Sequence, residues 1–208
     1  MFQDREEAAR QLAARLAAYR GQHPLVLAIP RGAVPMGKLL AERLEGELDV
    51  VLVRKLRAPF QPELAIGAVD ESGWTTIAPY AASTGADPDY IAEEKQHQLQ
   101  ILRSRRAMYS PLRTPVNPAG RTVIVVDDGL ATGATMIAAL HGLRQRQRQP
   151  LKLVCAVPVS SPEALELIRP MADEVVCLLT PPDFEAVGQH YRHFPQVTDE
   201  EVVALLKT

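Results

Sequence analysis

The chain has 208 residues, 47% hydrophobic and 23% charged, the balance of an ordinary globular protein long enough for one domain over 1–208. Its 23 Lys and Arg against 25 Asp and Glu leave it nearly neutral, so no overall basic footprint argues for nucleic acid as a partner. No apolar run approaches the about 20 residues of a spanning helix, and MFQDREEAARQL is charged from its fourth residue; neither a membrane span nor a secretion signal is read, and the expected location is the cytoplasm.

Asp4 stands as the N-cap of a helix running to about Tyr19, with Glu6 and Glu7 in its first turn and Ala8, Leu12 and Leu16 along one face. Strands are expected near 24–29, 48–53, 122–127, 151–158 and 174–179. Helices over Met36–Leu44, Ala134–Arg146 and Pro162–Ile168 fall between most of them, the last opened by Ser161-Pro162 and stopped near Pro170. Such alternation implies an α/β protein with a mostly parallel, five-stranded, Rossmann-like sheet flanked by helices over a core of about 22–180. The interval 56–121 interrupts it. There LAIGAV and WTTIAPY straddle Asp70-Glu71-Ser72-Gly73 as a hairpin insertion, Asp87-Pro88 opens a long helix through about Met108, and SPLRTPVNPAG forms a proline-rich connector. No internal repeat and no second domain is read.

The segment Val123–Thr135, VIVVDDGLATGAT, is the most informative stretch. Its β-branched run suits a strand buried on both faces, and Asp127 and Asp128 mark the strand's end, because two adjacent carboxylates are too costly to bury unpaired. At the carboxyl end of an open α/β sheet, two acceptor-only side chains suit vicinal hydroxyls, a hydrated cation, or both. Gly129 to Thr135 then offers backbone N–H groups at a helix start, where the dipole favours an anion. Together they point to a sugar phosphate. A buried strand followed by an ordinary acidic turn is the plainer alternative, disfavoured by the ordered combination.

These thirteen residues closely resemble the signature of the type I phosphoribosyltransferases, which bind 5-phosphoribosyl-1-pyrophosphate (PRPP). The resemblance implies that Asp127 and Asp128 hold the ribose hydroxyls and that Ala131, Thr132, Gly133, Ala134 and Thr135 cradle the 5′-phosphate. Strand-like Leu25–Ile29 running into Pro30-Arg31-Gly32-Ala33 resembles the family's pyrophosphate loop, so Arg31 and Gly32 are expected on pyrophosphate, with a cis peptide between Pro30 and Arg31. DVVLVRKL, 49–56, reads as a strand ending in two cations; Arg54 offers a bidentate fork and Lys55 a point charge for the same pyrophosphate, with a solvated strand end as the alternative. RAPFQPE, 57–63, resembles the loop that closes over the site. The likeness extends through LAIGAVDESG, PPDFEAVGQHY and VTDEEV to stand-alone bacterial relatives, with 181–208 as a hood or tail.

The reaction so implied is Mg²⁺-dependent transfer of phosphoribosyl from PRPP to a nitrogen nucleophile, with pyrophosphate released. Asp127, Asp128 and Lys55 are the catalytic candidates, and Mg²⁺ would arrive with PRPP, direct contacts from Asp127 and Asp128 being left open. Ala131 stands where hypoxanthine-guanine enzymes carry an aspartate, which disfavours a 6-oxopurine acceptor. Phe184 is the candidate for stacking on a small-molecule acceptor, against the alternative of a core phenylalanine. Sensing of PRPP or a nucleotide without turnover is the competing function, and homodimerisation is left open. Cys155 and Cys177 read as inert core thiols, the five histidines as lacking metal support, and Arg103, Arg105, Arg106, Arg144, Arg146 and Arg148 as solvated helix faces or ends.

Overall fold

Apolar runs without polar alternation become the inner strands of a parallel sheet, and the computed structural model, which describes residues 1–109, 111, 115–145 and 149–207, assembles five of them. Arg146, Arg148 and positions 110 and 112–114 of the proline-rich connector lie outside the described residues. In chain order come α1 (Arg5–Arg15), β1 (Leu25–Ala28), α2 (Val34–Arg43), β2 (Glu47–Val50), β3 (Val53–Arg57), β4 (Ala65–Asp70), β5 (Thr75–Ile77) and α3 (Pro88–Tyr109). Then follow β6 (Thr122–Val126), α4 (Ala134–Arg144), β7 (Lys152–Val159), α5 (Pro162–Ile168), β8 (Glu174–Leu179) and α6 (Asp199–Lys207).

The parallel sheet has the order β2-β1-β6-β7-β8, as the βα alternation implies. Alternate residues of each strand feed opposite cores: Val26, Ala28, Ile124 and Val126 pack with α1 and α2, while Leu25, Leu27, Val123 and Val125 pack with α4 and α5. Wholly buried side chains such as Ile124 and Leu140 each contribute about 1.5–3 kcal/mol. Because α2 leaves β1 toward one face and α4 leaves β6 toward the other, the strand order reverses between β1 and β6, the place where open α/β sheets bind ligands. The register sets Ala28 level with Val126, so the loops after these two strands emerge side by side.

The sequence reading of one strand through 48–53, ending in cations, needs correction. Here β2 pairs with β1, the contact from Val51 N to Ala28 O at 3.1 Å ends that pairing, and β3 joins an antiparallel sheet of order β3-β4-β5. Val51 and Leu52 are buried in different cores, so the apolar run continues unbroken while the chain passes from one sheet to the other. Between β4 and β5 lies the expected hairpin. One side of this small sheet carries α3 and the other carries α4, which therefore sits between the two sheets. Buried Asp49 fastens the connector by accepting from Val116 N at 2.7 Å.

The expected caps are present: Asp4 Oδ1 accepts from Glu7 N at 2.9 Å, and Ser161 Oγ from Ala164 N at 3.1 Å. Helix α1 ends at Arg15, and a 3₁₀ turn continues to Tyr19. Helix α6 was not expected. The arginines of α3 also differ from a solvated face, since Arg106 pairs with Glu71 at 2.6 Å and Arg105 acts on half-buried Arg54, while Arg103 is exposed. Cys155 is buried, whereas Cys177, on edge strand β8, is only partly so. Among the described residues no helix is long and apolar enough to cross a membrane.

Candidate functional site

β6 carries the acidic pair out of the sheet beside the end of β1. Asp128 N donates to Asp127 Oδ1 at 2.9 Å. Burial, and then the charge of Asp128, hold the Asp127 carboxyl well above the usual carboxylate range. Burial also raises Asp128, against an opposing ion pair with Arg5 of α1. Both Arg5 Nε, at 3.3 Å, and Arg5 Nη2, at 3.2 Å, donate to Asp128 Oδ2. The Tyr191 hydroxyl donates to the main-chain oxygen of Asp128 at 2.6 Å. The two chain ends meet here, with Phe2 N donating to His190 O at 2.8 Å and Arg192 N to Phe2 O at 2.9 Å. Sequence reasoning missed Arg5 and Tyr191, because no local pattern reports a contact across 123 residues.

The loop after β1 contains the expected cis peptide between Pro30 and Arg31. Gly32 lies flush against the acidic pair: a Cβ there would stand 2.2 Å from Asp128 Oδ2, closer than side chains approach, and a tight 3.1 Å from Arg5 Nη2. Arg31 reaches Asp199 of α6 at 3.9 Å and remains a third exposed. On the other side of the pair, Gly133 adopts φ +79° as the residue before α4, and no side chain of that residue caps the helix. Ala131 and Thr132 are exposed and Ala134 and Thr135 half-buried; Thr132 Oγ1 accepts from Ala134 N at 3.3 Å, so the first amide of α4 is already engaged within the loop. Ser161 Oγ donates to Ala131 O at 2.7 Å, fastening this loop to the start of α5.

The two expected cations face opposite ways. Strand alternation turns Arg54 and Lys55 to opposite faces of β3. Lys55 is exposed, and its charge draws Asp127 down against the larger upward push of burial. Arg54 points to α3, where its Nε donates to Gln98 Oε1 at 2.9 Å. Burial, then the charges of Arg105, Arg57 and Arg31, lower its pKa. Gln98 and Glu94 of α3 are both buried, and Glu94 Oε1 accepts from Arg57 Nε at 3.0 Å and from Gln98 Nε2.

A cavity of about 560 Å³ opens beside the 131–135 loop, lined by Thr76 and Tyr80 of the hairpin segment, Thr132, Ser161, Leu167 and Phe184. Phe184 is partly buried against the core and stacks on His190 with ring centroids 5.4 Å apart, so it is both a packing residue and a cavity wall. A wider depression of about 1040 Å³ lies beside the stacked rings of Trp74 and His141, and none of the expected site residues lines it. Among the described residues no third His, Cys, Asp or Glu joins the acidic pair in a metal-holding group. That donor set fits a divalent ion arriving with ligand oxygens and water, as Mg²⁺ does, rather than one held in a protein cage.

Fold and site together define an α/β protein with an acidic pair and a helix start meeting at the switch point of its parallel sheet. The family model for the phosphoribosyl transferase domain matches residues 2–193. A Mycobacterium tuberculosis H37Rv protein, provisionally named a phosphoribosyl transferase, is 43% identical over 207 residues, 99% of this chain and 46% of that protein. The chain thus spans about half the length of that relative. The crystal structure of a Thermus thermophilus protein superposes with a TM-score of 0.80 at 48% identity, covering 99% of this chain and 97% of the other. The uracil phosphoribosyltransferase of Levilactobacillus brevis is 31% identical over 154 residues, 74% of this chain and 64% of that enzyme. The chain belongs to the phosphoribosyltransferase family.

Proposed function

We propose that the protein transfers the phosphoribosyl group of PRPP to a nitrogen nucleophile, releasing pyrophosphate with inversion at the anomeric carbon. One observation carries this reading: Gly32 of the β1 loop is pressed against Asp128, while the loop that follows Asp128 runs directly into the start of α4. Arg31 and Gly32 then meet pyrophosphate, Asp127 and Asp128 the ribose hydroxyls, and Ala131 to Thr135 the 5′-phosphate, each within reach of a single donor molecule. As C1 loses pyrophosphate it becomes oxocarbenium-like, the electronic problem that glycosidases also solve. The acidic pair favours that developing charge. Arg31 stabilises the leaving group, Lys55 adds its charge near Asp127, and Arg54 of β3, held by Gln98 of α3, supports the pyrophosphate end. Mg²⁺, bound with the donor, would supply further neutralisation of pyrophosphate.

The cavity bounded by Thr132 and Phe184 is the acceptor's place, of a size for a single heterocycle. Ala131 offers no carboxylate to a purine proton, and a relative named as a uracil enzyme makes uracil the first base to test. The test is pyrophosphate release from PRPP and Mg²⁺ across a panel of bases, for wild type and Asp128→Asn. Acceptor-dependent release abolished in the variant is the expected result. Tight PRPP binding with no release for any base would instead identify a sensor.

A further inference from the structure

The ion pair between Arg5 and Asp128 has no role in the transfer as derived above, yet it reaches the acidic pair directly. Both side chains are largely buried, 12% and 17% exposed. Arg5 directs Nε and Nη2 to the same oxygen, Oδ2, so Oδ1 lies outside the ion pair. Its remaining surface is occupied as well: Nη1 donates to Pro195 O at 2.6 Å, and the guanidinium lies 3.9 Å from the centroid of the Phe194 ring. A guanidinium held at all three nitrogens and over one ring is fixed in place. Asp128 is also held at its main chain by the Tyr191 hydroxyl. The same Arg5 lies against the β1 loop, 3.1 Å from where a Cβ of Gly32 would stand.

We propose that Arg5 is a positioning residue for the ribose subsite. It seats Asp128 by Oδ2, keeps Oδ1 outside the ion pair, and couples that carboxylate to the docking of α1 on the C-terminal segment 191–195. The inference rests on the reading of Asp128 as a ribose ligand. An ion pair that merely fastened the N-terminus would serve folding and leave ligand binding untouched in a folded variant.

Calorimetric titration separates these roles. Ribose 5-phosphate probes the acidic pair and the phosphate loop together, whereas inorganic phosphate probes the loop alone. Arg5→Met should weaken ribose 5-phosphate roughly tenfold or more while leaving inorganic phosphate unchanged, since removing one partner strands a buried charge. Arg5→Lys should restore part of the loss, as a point charge keeps the attraction without the fork. Combined with Asp128→Asn, Arg5→Met should add no further loss, because the two act as one unit. Should Arg5→Met not fold, Phe194→Leu removes the ring beneath the guanidinium and should give a smaller loss for ribose 5-phosphate alone. Unchanged ribose 5-phosphate binding by the folded Arg5→Met protein, or additive losses with Asp128→Asn, would overturn the inference alone. Wild-type protein that ignores ribose 5-phosphate would overturn the reading of the site, and this inference with it.

Discussion

At the carboxyl end of the parallel sheet, the acidic pair and the loop before α4 come from one unbroken stretch, 127–135, whereas the antiparallel sheet takes its orientation of charge from a distant helix. Arg54 and Arg57 of β3 are held by Gln98 and Glu94, 44 and 37 positions away. In the first region a strand end and a helix start are enough to place carboxylates and amides side by side. In the second, the cations are placed only once α3 has docked. On the proposed reading, the groups for ribose and 5′-phosphate come from one local stretch that Arg5 and Tyr191 then hold in place, whereas Arg54 and Arg57 are placed by α3.

The largest expected effect lies in the local region. Asp128→Asn should lower pyrophosphate release at least about a hundredfold, roughly 3 kcal/mol, because it removes a ligand carboxylate and strands Arg5. Gly32→Ala should follow, costing PRPP affinity about 1–3 kcal/mol in calorimetry, since the new methyl would lie 2.2 Å from Asp128 Oδ2 and must displace it. Gln98→Leu tests the other region. Leaving Arg54 and Glu94 without a buried partner should cost about 1–3 kcal/mol in denaturant unfolding and weaken pyrophosphate binding, with ribose 5-phosphate spared. Equal weakening of both ligands would break the division between the two regions.

A smaller effect separates the regions by the sign of their pH dependence. Burial pushes Glu94 up, but hydrogen bonds from Arg57 and Gln98 outweigh it, so the carboxyl sits below its ordinary 4.5. A depressed acid contributes stability above its unfolded value and loses it as pH falls through the folded value, so Glu94→Gln should lower the melting temperature at pH 7 and matter less below pH 4.5. Asp127 works in the opposite sense. Its raised pKa means that the folded protein holds the proton more tightly, so its burden on stability grows as pH rises from 3.8 through the folded value. Asp127→Asn should therefore raise the melting temperature of the ligand-free protein at pH 7 while impairing turnover. Thermal melts of both variants across this range check the two signs.

Legibility in the sequence follows the same division. The run Val123–Val126, the pair after it and the loop before α4 are contiguous, so spacing alone suggested their arrangement; Asp4 and Ser161-Pro162 likewise announced α1 and α5 by local capping chemistry. The break between β2 and β3 was not legible, because Val51 and Leu52 remain buried while the chain changes sheets without glycine or proline. Helix α6 carried a readable signal that went unused: Thr198 Oγ1 accepts from Glu201 N at 3.1 Å, the first half of a Thr-x-x-Glu capping box. Arg5, Tyr191 and Gln98 could not be read at all, since their partners lie 123, 63 and 44 positions away and each is an ordinary helix or tail residue by itself.

The most direct test of convergent subsites is calorimetric titration of the wild-type protein, in Mg²⁺, with PRPP, ribose 5-phosphate and pyrophosphate in turn. If the β1 loop, the acidic pair and the loop before α4 grip one molecule, PRPP should bind more tightly than either fragment. PRPP binding no tighter than ribose 5-phosphate would contradict it.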